Sequence, residues 1–292
     1  MFWSCSFFRI VLYSHCFFED KPLVEDVPDV SSKKKIAPAL PATMIRPPAE
    51  LDPEQWERLL QFGGFPQPFL RGNTRFYNRW KRTRLGQIFQ EDIHDIARVQ
   101  EIRLVELLAE LIAQQAGQLT SYASLARKIR ASEDSVRRWL GIMESLYYCF
   151  AVRPYHSNVS RALRKEPKYY LWDWAMVADQ GGKYENMIAG HLLKAVHLWT
   201  DLGLGEFELF FLRTKDKREV DFLVTRDSKP WFLVEVKSSD TKLSRHLAYF
   251  QEKTGADHAF QVTVDAPFVD ADCFAVSYPV KVPAKTFLSQ LV

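Results

Sequence analysis

The chain has 292 residues, of which 47% are hydrophobic and 26% are charged, and its formal net charge is +3. This composition is typical of a globular protein long enough for two domains, and the charge is too small to identify a partner. The chain has four cysteines, none in a C-x-x-C pair, and no Cys/His cluster has zinc-site spacing. We therefore exclude a zinc-finger type of site and expect reduced cysteines and a cytoplasmic protein.

The first 50 residues are predicted to be an irregular N-terminal segment and linker. Residues 1–18 are apolar and aromatic, but Arg9 and His15 interrupt them, and a membrane span needs about 20 apolar residues. The segment also lacks the basic start and cleavage site of a secretory signal, so we expect no stable membrane insertion. A buried strand and sequence left by a displaced start codon both remain as explanations. Residues 19–50 are rich in Pro, Lys, Asp and Ser, which is typical of an extended linker.

Residues 51–100 are predicted to be helical. Asp52 is a suitable N-cap before Pro53, and Gly63 and Gly64 end that first helix. The segment RGNTRFYNRWKRTR at residues 71–84 is basic with interleaved aromatic residues. Such a pattern fits contact with a phosphate backbone and also fits a helix face that is simply solvated.

Residues 101–180 have the pattern of a winged helix-turn-helix. A helix after residue 103 has apolar residues at helical spacing, and Ser121 and Ser132 can cap two shorter helices. Two aromatic runs, YYCFAVRPY and KYYLWD, would be the wing strands. The third helix would enter the major groove with Arg137 and Arg138 exposed. A winged helix used for protein contacts or as a spacer would have the same pattern.

A basic, polar loop connects the two aromatic runs. It contains five residues that could reach phosphates: His156, Arg161, Arg164, Lys165 and Lys168. A basic loop that contacts only water is the alternative interpretation.

Residues 181–292 are predicted to form a mixed sheet flanked by helices. A helix over residues 184–199 precedes three strands, at 208–213, 219–225 and 231–237. A further helix at 241–253 and a strand, HAFQVTV, follow. The alternation of these elements indicates the α/β (α+β) class.

The last two of these three strands carry a cluster of charges. Glu235 and Lys237 lie two residues apart and therefore share one face of their strand, and Asp221 lies on the preceding strand. Charges on an apolar sheet are costly unless they pair or hold a metal. Two oxygen ligands suit Mg²⁺ or Mn²⁺, and a metal of this kind acidifies a water that a lysine could orient toward a phosphodiester.

This D…E-x-K arrangement, with Glu185 on the preceding helix, resembles the PD-(D/E)XK restriction-endonuclease-like fold. The resemblance implies that Asp221 and Glu235 hold the metal, that Lys237 activates water, and that Glu185 supports the metal shell. A charge pair at the sheet edge, or a nuclease-like fold without chemistry, is the alternative.

Five motifs extend the resemblance over about residues 50–265. In chain order they are GGFPQPFL at 63–70, LARKIRASEDSVRRWLGIMESL at 125–146, KYYLWDWAM at 168–176, KYEN at 183–186 and REVDFLV…LVEVKSS at 218–239. The chain is similar to the C-terminal part of bacterial and archaeal AAA-type ATP-binding proteins, in which a domain of unknown function follows the ATPase core. The resemblance implies that the helical residues 51–100 are a remnant of the ATPase lid region. The phosphate-binding loop G-x-x-x-x-G-K-[ST] is absent from the sequence. We therefore expect neither ATP as a cofactor nor ATPase activity, and the first 20 residues fit a truncated reading frame.

Two hypotheses follow from these patterns. The first is a DNA-associated winged-helix protein with a nuclease-like domain that cleaves phosphodiesters with Mg²⁺ or Mn²⁺. The second is a catalytically silent module that binds DNA or a protein partner, in which the charges serve structure.

Overall fold

A computed structural model describes residues 44–92, 102–155 and 166–291 of the chain. The predictions for the first 43 residues lie outside these ranges. So do the predicted phosphate contacts of His156, Arg161, Arg164 and Lys165.

Three helices open the described part: α1 (Pro53–Phe62), α2 (Pro66–Arg71) and α3 (Thr74–Gly86), the last continuing into a π-helical turn at Gln87–Asp92. The sequence predicts helices at α1 and α3, but the prolines after Gly64 predict an extended segment where α2 lies. Proline is tolerated in the first turn of a helix, and Pro66 begins α2. Asp52 caps α1 by accepting a hydrogen bond from the Glu54 backbone N–H at 2.7 Å. Gly63 ends α1 with φ of 78°, a conformation that glycine adopts without strain.

Three further helices enclose their own apolar core: α4 (Ile102–Gln114), α5 (Tyr122–Ile129) and α6 (Glu133–Ser145). Ser121 and Ser132 cap α5 and α6 by accepting from the backbone N–H groups three residues on. Both capping predictions are confirmed. Leu108, Leu140 and Trp139 are almost fully buried between these helices, and each such side chain contributes roughly 1.5–3 kcal/mol through burial.

A seven-stranded mixed sheet with three helices makes up the rest of the described chain. Its elements are β1 (Cys149–Pro154), β2 (Lys168–Leu171), α7 (Gln180–Asp201), β3 (Phe207–Arg213), β4 (Glu219–Arg226), β5 (Lys229–Lys237), α8 (Arg245–Thr254), β6 (His258–Thr263), β7 (Val280–Pro283) and α9 (Ala284–Leu291). The strand order is β2-β1-β3-β4-β5-β6-β7. The predicted mixed sheet flanked by helices is confirmed.

The two strands predicted as the wing pair with each other and also form the edge of this sheet. β1 and β2 pair antiparallel, but β1 also pairs in parallel with β3 through Arg153 with Phe210 and Pro154 with Phe211. Parallel partners can lie far apart in sequence, so hydrophobic alternation alone did not indicate this contact. The sheet consequently crosses the predicted boundary between residues 180 and 181.

The sheet is covered on both faces. Helix α7 packs Met187, Ile188 and Leu192 against one face, in a core that includes Phe222 and Phe232. Helix α8 packs Leu247 and Phe250 against the other face. No helix within the three described ranges is long and apolar enough to cross a bilayer.

Candidate active site

Helix α7 places Glu185 beside strand β2. The neighbouring residue, Asn186, is fully buried and bonds both backbone groups of Leu171, accepting from its N–H at 2.8 Å and donating to its carbonyl at 2.7 Å. Asp179 fixes the start of the helix by accepting from the Gly182 N–H at 2.7 Å. Glu185 therefore has a defined position against the edge strand.

Glu185 is held by two side chains from that strand. Its Oε1 accepts from Lys168 Nζ at 3.2 Å and from the Tyr170 hydroxyl at 2.7 Å. Gly117 closes the site from the helical side, since a Cβ there would lie 3.1 Å from the same oxygen. The carboxylate is therefore oriented before any ligand binds.

The structure corrects both interpretations of Lys168, as a residue of a basic loop that reaches phosphates or that contacts only water. Lys168 begins β2 and is only 3% exposed, and its ammonium also pairs with Glu219 at 2.7 Å. Burial lowers its pKa, but the carboxylates of Glu185, Asp221 and Glu219 outweigh that effect and raise its pKa overall. Lys168 is therefore a charged member of the carboxylate cluster.

A β-bulge positions Asp221. Phe210 pairs with Leu223 and Leu212 pairs with Val220, so two residues of β4, Asp221 and Phe222, stand opposite one residue of β3. Bulges of this kind redirect side chains and are common next to active sites. Asp221 Oδ2 accepts from the Val236 N–H at 2.8 Å, which ties it to β5.

Asp221 is costly to ionise in this position. Burial, together with the nearby charge of Glu185, raises its pKa from 3.8 to about 7 despite the opposing effect of Lys168. A carboxyl group that titrates near neutral pH, next to other carboxylates, is typical of functional sites.

Glu235 and Lys237 lie on β5 next to Asp221. Phe222 pairs with Val234 in the antiparallel ladder, and extending this register by one residue places Asp221 opposite Glu235. Lys237 Nζ contacts Glu235 Oε1 at 2.7 Å, whereas Glu235 Oε2 is buried and has no hydrogen-bond partner in the described chain. Burial lowers the pKa of Lys237, but its hydrogen bond to Glu235 and the charges of Asp221 and Glu185 raise it overall. Lys237 is therefore an ammonium at neutral pH.

The fold thus brings together Glu185, Asp221, Glu235 and Lys237. Sequence reasoning missed three further members: Tyr170 and Glu219 entirely, and Lys168 as a buried residue. The available signal was the spacing of Lys168 and Tyr170, which lie two residues apart on one strand and both reach Glu185.

The donor set suits a hard divalent cation. Magnesium needs only one or two carboxylates and keeps several waters, and Asp221 and Glu235 would supply them, with the unpartnered Glu235 Oε2 as one donor. As they stand, no three His, Cys, Asp or Glu side chains in the described ranges are arranged to hold a metal. The residues therefore fit a two-carboxylate site.

The predicted nucleic-acid residues lie elsewhere. Arg137 and Arg138 are exposed on α6. The Arg137 guanidinium lies 3.9 Å from the centroid of the Tyr122 ring and also pairs with Glu133 at 3.9 Å. Arg161 and Arg164 lie outside the described residues.

Comparisons with known proteins divide the chain in two. Residues 53–182 match a family described as "Domain of unknown function (DUF8612)", and residues 180–276 match "Domain of unknown function (DUF4143)". An uncharacterized protein of Mycobacterium bovis and one of Mycobacterium tuberculosis are each 21% identical over 198 residues, covering 65% of this chain and 45% of each relative. The chain thus spans less than half the length of these curated relatives. No solved structure matches the chain. The two family matches meet at residues 180–182, where α7 begins.

Proposed function

We propose that the chain is a DNA-associated protein with a PD-(D/E)XK-type site that hydrolyses phosphodiesters with Mg²⁺ or Mn²⁺. The observation that carries this proposal is the position of Asp221. Its carboxyl group lies in a bulge between Glu185 and Glu235, where its pKa is raised to about 7. A residue with only a structural role at this position would be expected to be uncharged, because an ionised carboxylate there costs folding free energy.

Each residue has a distinct role in this proposal. Asp221 and Glu235 would hold the cation, which supplies a Lewis acid for the phosphate and lowers the pKa of a coordinated water. The Lys237 ammonium orients the attacking water and stabilises negative charge on the phosphate, since its raised pKa makes it a poor base. Glu185, fixed by Lys168 and Tyr170, supports the ligand carboxylates.

The helical part is proposed to contact DNA as a winged helix. Helices α5 and α6 are joined by a short turn at residues 130–132, in which Arg130 has φ of 55°, and the β1–β2 hairpin follows. Arg137 and Arg138 are exposed on α6, as a recognition helix requires. An origin from AAA-type ATP-binding proteins fits this order of elements.

Cleavage of supercoiled plasmid and single-stranded DNA in Mg²⁺ or Mn²⁺ tests the proposal. We expect metal-dependent nicking, with loss of at least about 100-fold in Asp221→Ala, Glu235→Ala and Lys237→Ala, because each removes a ligand or the orienting charge. Glu208→Ala, which removes an exposed carboxylate from β3 of the same sheet, is the matched control. Unchanged nicking in the three site variants would contradict the proposal.

A silent binding module is the second candidate, and one observation favours it. Lys168 and Lys237 already neutralise the cluster through contacts with Glu185, Glu219 and Glu235. An internal ammonium of this kind could replace the metal. If so, Mg²⁺ would not raise the melting temperature of the native chain but would raise that of Lys168→Met. Stabilisation of the native chain by Mg²⁺, lost in Asp221→Asn, would instead support the metal site.

A further inference from the structure

Helix α3 has one face buried against the rest of the protein. The Tyr77 hydroxyl donates to Asp173 at 3.0 Å, and Arg84 donates to the Tyr147 carbonyl at 3.0 Å. Trp80 packs 5.1 Å from Phe65, measured between ring centroids. These contacts fix the orientation of the helix.

The opposite face of α3 presents arginines to solvent. Arg75, Arg79 and Arg82 are exposed, and their spacing of four and three residues places them in one row. Arg71, at the end of α2, extends the row. The guanidinium groups of Arg71 and Arg79 each lie 5.8 Å from the centroid of the half-buried Phe76 ring. We call these four arginines with Phe76 the α3 basic face.

In the part of the chain that the structure describes, no acidic side chain pairs with this surface. Residues 58–90 contain seven of the chain's 39 basic residues and none of its 36 acidic residues, so the remainder of the chain is net acidic. Within the described ranges, none of the four arginines of the α3 basic face forms an ion pair.

Two other helix arginines are paired with a glutamate on their own helix. Arg58 pairs with Glu54 on α1, and Arg137 pairs with Glu133 on α6, both at the i,i+4 spacing. Pairing of this kind is the usual arrangement on a solvated helix face. The α3 basic face lacks such i,i+4 ion pairs. The mutual repulsion of its four positive charges is therefore not offset within the described chain.

We propose that the α3 basic face binds the phosphate backbone of a nucleic acid. The row from Arg75 to Arg82 extends about 10.5 Å along the helix, and guanidinium groups bind phosphate oxygens in a bidentate manner. Phe76, whose ring centroid lies 5.8 Å from two of these guanidinium groups, adds a half-buried aromatic ring to the same face. The exposed residues of α3 are all polar, so the helix lacks the apolar face by which amphipathic helices enter a membrane.

This proposal deepens the proposed DNA association by assigning a surface to it, and it does not require the site at Asp221 to cleave. Binding is therefore measured in EDTA, where cleavage cannot occur. The probes are fluorescently labelled single-stranded and double-stranded 20-nucleotide DNA, and the readout is anisotropy at several salt concentrations with the full chain.

The test compares two triple variants of equal charge. In R75Q/R79Q/R82Q we expect at least about 10-fold weaker binding and a salt slope reduced by roughly 2–3, because three phosphate contacts are lost. In K215Q/K217Q/K229Q, which neutralises exposed lysines in the β3–β4 turn and at the start of β5, we expect less than about 3-fold weaker binding. If the triple variant folds poorly, the single variant Arg75→Gln, at an exposed helix position, replaces it. We expect it to weaken DNA binding too, but by a smaller factor.

Three outcomes would overturn the proposal. They are equal losses in both triple variants, no DNA binding by the native chain, and binding to phosphatidylserine vesicles in place of DNA. Loss of cleavage in Asp221→Ala with DNA binding intact leaves the proposal standing, and an absence of cleavage in the native chain refutes only the proposed hydrolase activity.

Discussion

Asp221 lowers the stability of the fold whenever it is ionised. Its pKa rises from 3.8 to about 7 because desolvation and the nearby charge of Glu185 both disfavour the ionised carboxylate. The native state therefore retains a proton that the unfolded chain releases between about pH 4 and pH 7. Across that range, the contribution of Asp221 to the free energy of unfolding falls as the pH rises. A bound cation would reverse this cost, since its charge favours the ionised carboxylate.

Substituting Asp221 by Asn should stabilise the protein above neutral pH. The amide oxygen can still accept from the Val236 N–H, while the cost of the charge disappears. We expect the stabilisation to be on the order of 2 kcal/mol greater at pH 8 than at pH 5. Urea unfolding at both pH values, without divalent cations, measures the difference. Equal effects at the two pH values would show that ionisation of Asp221 costs nothing.

At the scale of elements, the contact between α7 and β2 determines where Glu185 lies. Asn186 satisfies both backbone groups of Leu171 in a fully buried place. Lys168 and Tyr170, from the same strand, complete the attachment through Glu185. One short edge strand thus connects the helical region to the carboxylate cluster.

Asn186→Ala should destabilise the protein strongly. It leaves the N–H and the carbonyl of Leu171 unbonded in the core, and each such group costs about 1–3 kcal/mol. We expect a loss of roughly 2–5 kcal/mol in the free energy of unfolding, measured by chemical denaturation. Asn78→Ala, at an exposed position of α3, should change it by less than about 0.5 kcal/mol. A small loss in Asn186→Ala would mean that water replaces the amide.

Short-range sequence patterns predict the helices and strands better than they predict which strands pair with each other. Serine caps and strand alternation identified α5, α6 and the shared face of Glu235 and Lys237. The sequence predicts that β5 starts at residue 231, two residues after its actual start, because Asp227 and Ser228 form a two-residue turn with φ of 50° and 63°. That turn lacks the Asn-Gly signal that usually marks it.

The bulge at Asp221 and the burial of Lys168 depend on pairing between distant segments. The bulge appears only once β3 is set against β4, because it arises from a mismatch in their register. Lys168 is buried only because β1 joins β3 and thereby brings β2 to the carboxylates. Neither relation is contained in the residues flanking these positions.

At the scale of the whole molecule, the helical region and the site share one sheet. The parallel pairing of β1 with β3 joins strands from the two segments that match different families. Lys168, from the first segment, is buried among carboxylates of the second. Within the first segment, a buried hydrogen bond from Tyr77 to Asp173 ties α3 to the turn after β2. The two segments therefore stabilise each other.

The chain should consequently unfold as one cooperative unit. We expect a single calorimetric transition, with calorimetric and van't Hoff enthalpies that agree. Leu140→Ala, a fully buried change in the helical core, costs about 2–5 kcal/mol. It should lower the amide-exchange protection of α7 by the same free energy as that of α4, because opening either segment breaks the shared sheet. Val269→Ala, at a position 49% exposed, is the matched control and should leave both unchanged. Two separate transitions, with α7 protected normally in Leu140→Ala, would show that the segments are independent and that Lys168 can leave the site without unfolding it.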